Sequence, residues 1–121
     1  MTPELARQRD SLLARNDEVL ERWPQRAGGE FAIEMGAVAE GFEALAHSVD
    51  RDPDDALERS RTWRYTGNAY FDLGAGRESA ALEHAAQAYQ SAEAALGGID
   101  EPVEWVKLNY SYGQTLLYLS D

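Results

Sequence analysis

The chain has 121 residues, 44% of them hydrophobic and 27% charged, no cysteine, and a formal net charge of −11. That length favours one domain with a core of its own, and the missing cysteine excludes disulfides and thiolate metal sites. The negative charge argues against nucleic acid and anionic membranes as partners.

The pattern predicts helices separated by short breaks, with no run of strand-like alternation. The first helix opens at "TPE": Thr2 caps, Pro3 suits the first turn and Glu4 complements the dipole. Leu5, Leu12, Leu13, Val19, Leu20 and Trp23 form its stripe, Pro24 stops it, and "QRAGG" is a loop. The charged stretch "MTPELARQRDSLLARND" has no apolar signal core, so a cytoplasmic location is expected. No apolar run is long enough to span a bilayer.

The second helix carries Phe31, Met35, Val38, Phe42, Leu45 and Val49, spacings that mark one face. Gly36 and Gly41 interrupt it at a cost of about 1 kcal/mol each, which close approach of a neighbour would offset. "DRDPDD" ends it, with Asp52 as a cap before Pro53. The third helix is expected over about 54–73 and "LGAGRES" is a break. The fourth, about 77–96, is alanine-rich, with Leu82, Ala85, Tyr89, Ala92 and Leu96 on its inner face. Gly97 and Gly98 stand where a helix would end. The fifth starts near Pro102 and carries Trp105, Leu108, Tyr112, Leu116 and Leu119.

Charge is spread unevenly. Residues 30–58 carry nine acids and one base, whereas Arg59, Arg61 and Arg64 form an island without an acid. Pairing with Asp54, Asp55 and Glu58 one turn earlier is one account of that island. A ligand-binding surface is the other.

The third helix places Trp63, Gly67 and Tyr70 on one side, and the fourth answers with Ala85, Tyr89 and Ala92. A glycine between two aromatics lets a neighbouring helix come close. This pattern resembles the tetratricopeptide repeat (TPR), in its long-loop bacterial form. Thr66 replaces the usual Leu and Gly97 stands where Pro is usual. "DEPVEWVKLNYSYG" fits the entry to a further unit, and Gly113 recurs 46 residues after Gly67. The expected fold is therefore all-α, about five helices in antiparallel hairpins forming a TPR-like superhelical stack. It is read as one domain over 1–121. Within it, 1–50 is an N-terminal helix pair, which a decayed repeat would explain, 53–97 a TPR-like repeat, and 102–121 the first helix of a further repeat or a cap.

The resemblance implies a concave groove lined by first helices. Its candidate partner-binding residues are Arg61, Arg64, Asn68 and Phe71 on the third helix, with Lys107, Tyr110 and Gln114 on the fifth, where Ser111 and Leu117 share the implied groove face. Arg64 and Asn68 resemble half of the clamp with which some members of the family grip a terminal carboxylate, Lys107 being a second cation. The implied function is a protein–protein interaction scaffold or adaptor that holds an acidic or C-terminal peptide segment in an Arg-lined groove. The alternative is a self-assembling helical bundle, or an interaction or regulatory segment of a larger protein. Leu116, Leu117 and Tyr118 are candidate oligomer-interface residues, because nothing in the chain follows to cover them, and a homodimer or a fragment of a longer array is the corresponding expectation. No catalytic constellation, cofactor motif or metal-ligand spacing is found. His47 and His84 lie on different helices and lack the Glu-x-x-His spacing of bundle metal sites.

Overall fold

The computed structural model describes residues 1–52, 54–74 and 79–120. These form five α-helices, α1 (Pro3–Leu20), α2 (Gly29–Val49), α3 (Ala56–Gly74), α4 (Ser79–Leu96) and α5 (Pro102–Leu119), with a 3-10 turn at Trp23–Gln25. No strand occurs among the described residues. The fold is all-α, as expected. Pro53 and the centre of the "LGAGRES" break, residues 75–78, lie outside the described residues.

Local signals set the helix ends. Thr2 Oγ1 accepts from the Leu5 amide at 3.2 Å, which satisfies one of the free donors of the first turn. The first helix stops three residues earlier than its stripe predicts. Trp23 belongs to the 3-10 turn, where it meets Phe31 edge-on at 5.8 Å and carries the Arg26 guanidinium 4.6 Å above its ring. Gly97 ends α4 at φ +54°, a left-handed conformation in which a side chain would be strained.

Each helix packs on its successor, and α3 also touches α5. Partners along α2 and α3 run in opposite directions: His47 packs on Trp63 and Glu43 bonds Tyr70. The same holds for α3 and α4, where Gly67 meets Tyr89 and Gly74 meets Ala81. The apolar face of α2 foreseen from its spacing is buried throughout: Phe31, Met35, Val38, Phe42, Leu45 and Val49. One core cluster runs from Val19 through Trp63 and Tyr89 to Leu108, so helices from α1 to α5 share a single interior.

Two glycines mark the closest approaches. A Cβ at Gly67 would lie 2.5 Å from the Tyr89 ring, so the ring occupies the space that a side chain would fill. A Cβ at Gly41 would lie 2.6 Å from Leu12, which brings α1 onto α2, whereas Gly36 has nothing within 4 Å. The expected role in helix approach therefore belongs to Gly41 and not to Gly36.

Polar ties reinforce the stack. Glu43 receives the Tyr70 hydroxyl at 3.0 Å and bonds His84 Nε2 at 2.8 Å, while the two rings stack at 3.8 Å. One carboxylate so links α2, α3 and α4. Burial, with Glu43 adding to it, raises the Tyr70 pKa, which keeps the hydroxyl a donor. Trp63 Nε1 donates to Asp50 at 3.0 Å, closing the α2–α3 turn.

Candidate functional site

The helices α1, α3 and α5 border a cleft of about 310 Å³, floored by Tyr89 of α4. Its other lining residues are Asn16 and Leu20 from α1, Asn68, Phe71 and Asp72 from α3, and Ser111 and Gln114 from α5. Asn68, Phe71 and Asp72 come to one side of α3 because residues three and four apart share a helix face. Gly67 sets the depth, since it lets Tyr89 pass between α3 and α5. Phe71 meets Tyr118 at 5.2 Å and so bridges the cleft at one end.

The cleft is rich in hydrogen-bond acceptors. The Tyr89 hydroxyl donates to Asn68 Oδ1 at 2.6 Å, which fixes the amide and leaves its NH₂ as a donor. Gln114 donates to the Tyr110 hydroxyl at 3.2 Å, leaving its own carbonyl oxygen available. Asn16 Oδ1 is buried with no hydrogen-bond partner among the described residues. Asp72 makes no ion pair among the described residues, and burial pushes its carboxyl up to about 6. Burial also raises the Tyr89 pKa, with Asp72 contributing to the same effect, so the phenol stays protonated.

The arginine island takes no part in this cleft. Arg64 is 9% exposed and its guanidinium forks onto Glu104 of α5, itself 4% exposed, at 2.5 and 3.4 Å. Arg61 reaches Glu58 at 3.1 Å and the same Glu104 at 3.6 Å. Arg59 pairs with Asp50 at 3.4 Å. The three cations therefore stitch α3 to α2 and α5. Of the local partners expected for them, only Glu58 is used. Arg64 is thus engaged inside the stack, whereas Arg61, its side chain 40% exposed, keeps N–H donors open to solvent outside this cleft.

Of the seven residues singled out for partner binding, Asn68, Phe71 and Gln114 line the cleft. Arg61 and Arg64 do not. Lys107 and Tyr110 are exposed on α5 and do not line it, Tyr110 touching it only through Gln114 and Lys107 lying beside Pro102, Val103 and Val106 in a shallow apolar depression. Leu116, Leu117 and Tyr118 are exposed as expected. Sequence reasoning placed Ser111 on the groove face of the fifth helix, where it lines the cleft, but missed Asn16, Leu20, Asp72 and Tyr89. For Asp72 a signal existed, since it follows Asn68 by one helical turn. The α1 pair carried none, because its approach to α3 and α5 is set by tertiary packing.

Among the described residues no group of three or more His, Asp or Glu side chains could hold a metal ion, and no helix is long and apolar enough to cross a membrane. A scan against protein-family models finds no match, and searches of curated proteins and of solved structures find none either.

Proposed function

We propose that this chain is a TPR-like, non-enzymatic interaction scaffold whose α1–α3–α5 cleft holds a segment of a protein partner. Support comes from a cleft lined chiefly by odd-numbered helices, the placement that first helices have in a helical repeat. The contact of Tyr89 with Gly67 in α3–α4 is the second support. The ligand chemistry follows from the charges. With Arg61 and Arg64 paired internally and Asp72 in the cleft, the segment that fits is a basic or donor-rich one rather than an acidic one.

The observation that carries this reading is Asp72. A carboxylate held in a desolvated place without an ion-pair partner among the described residues costs stability, and a cationic ligand group would offset that cost. Titrating basic, neutral and acidic peptides against the wild type and Asp72→Asn tests it. Basic peptides are expected to bind the wild type and to lose tenfold or more on Asp72→Asn. Preference for acidic peptides, or binding indifferent to Asp72, would remove the reading.

A further inference from the structure

The outward side of α5 repeats the pattern by which α3 receives α4. In α3 Ser60, Gly67 and Gly74 form a buried stripe whose two glycines lie against α4: the Tyr89 ring sits on Gly67, and Ala81 and Leu82 sit on Gly74. Moved along by the 46 residues that separate Gly67 from Gly113, this stripe becomes Val106, Gly113 and Ser120. Arg64 and Phe71 beside it become Tyr110 and Leu117. These α5 positions are open. Val106 is 69% exposed, Tyr110 and Leu117 are each 67% exposed, and a Cβ at Gly113 would meet nothing within 4 Å. With Val103 they form a stripe at spacings of three and four, opposite the buried Glu104, Leu108 and Thr115.

We propose that this face pairs with α5 of a second copy of the chain, antiparallel about a two-fold axis between residues 111 and 112. In that register Tyr110 lies over Gly113 of the second copy, Val106 faces Leu117, and Val103 faces Ser120. The central contact, a tyrosine ring on a bare glycine, is the one already made by Tyr89 and Gly67 inside the fold. The stripe is self-complementary, as an isologous interface must be.

Charge and the self-complementary spacing favour a second copy as the occupant. At a net charge of −11, two copies repel one another over most of their surface. From Pro102 to Leu119 the sole acid is Glu104, buried against Arg64, and the sole base is Lys107, so this face brings the least repulsion. Four large apolar side chains of the stripe, Val103, Val106, Tyr110 and Leu117, are about two-thirds exposed. They offer roughly 400–500 Å² per copy, below the roughly 800 Å² per partner of a standard interface and in keeping with a weak, reversible dimer. The proposal rests on α5 alone and does not depend on what the cleft binds.

Sedimentation equilibrium of the full chain tests it, with Tyr110→Glu and Gly113→Leu beside the wild type. The wild type is expected to dimerise reversibly, Tyr110→Glu to be monomeric, and Gly113→Leu to dimerise at least tenfold more weakly while keeping its helicity. Because the chain has no cysteine, the register can be read directly. A mixture of Val106→Cys and Leu117→Cys should form the mixed disulfide in preference to either self-pair, since two copies of residue 106 would lie about 16 Å apart along the helices. A wild type that stays monomeric at high concentration overturns the proposal and leaves the face to another protein. A dimer unmoved by both variants, or one in which the self-pairs predominate, overturns it too.

Discussion

The α3–α4 junction and the outward face of α5 carry one spacing and opposite surroundings. At the junction, Gly67 is filled by a tyrosine ring; of the polar groups beside it, Arg64 pairs with Glu104 of α5 and the Thr66 hydroxyl donates to the Thr62 carbonyl at 2.8 Å, whereas Ser60 Oγ is buried without a partner among the described residues. On α5 the corresponding glycine is open, and valine, tyrosine and leucine stand in solvent around it. The difference teaches that a small-residue gap does nothing by itself. It positions a helix only when a ring from elsewhere fills it, and the residues beside it must suit that neighbour. Polar residues serve where the neighbour brings a carboxylate. Apolar ones serve where the neighbour is another apolar face.

The largest expected break in this contrast is at the ion pair that ties α3 to α5. Arg64→Ala strands Glu104 at 4% exposure, and a loss of about 3–5 kcal/mol is expected in denaturant unfolding. Replacing both partners with apolar residues should recover much of it, because the pair costs desolvation and its net contribution is small.

Next comes Asp72, the charged group of the cleft. Its folded-state pKa is about 6, above the ordinary value of 3.8, so between those pH values the folded chain binds more protons than the unfolded one. Stability contributed by this proton is therefore fully present below about pH 4 and is lost as pH rises through 6. Asp72→Asn should abolish that slope and stabilise the chain above pH 6 by up to about 3 kcal/mol. Thermal melts across pH 4–8 would check both, and a melting temperature independent of the substitution would refute them.

The two glycines then give a signed pair. Gly67→Ala places a methyl group against a fully buried ring, and overpacking less the gain in helix propensity predicts a loss of about 1–2 kcal/mol. Gly113→Ala meets nothing and should stabilise the fold by up to about 1 kcal/mol. Equal signs for the two, measured by urea unfolding in dilute solution, would contradict the contrast on which the α5 interface was argued.

Much of the fold was legible because it rests on local or periodic information. The six apolar residues of α2 fall on one face by spacing alone, and all six are buried. Thr2, Gly97 and Pro102 mark helix ends through backbone chemistry that a neighbour does not alter. Gly67 could be read as a point of close approach because two aromatics flank it on one side of the helix. The candidate site was legible only in part. Asn68, Phe71 and Gln114 were found, since they share faces by periodicity. Arg64 was misplaced because its partner, Glu104, lies 40 residues away on α5. No local rule brings that carboxylate to it, and an arginine in an acid-free stretch reads as free until the stack closes.

The sequence by itself determined an all-α chain, the order and approximate ends of its helices, and which face of each is apolar, because hydrogen bonding and burial act within a few turns of one helix. Only the tertiary structure decided which charges are spent inside and which are left outside. Electrostatic pairing depends on distances between helices, one of which is fixed by the entry of Tyr89 beside Gly67. In the closed stack Arg64 meets Glu104, Asp72 comes to line the cleft, and the apolar stripe of α5 faces outward.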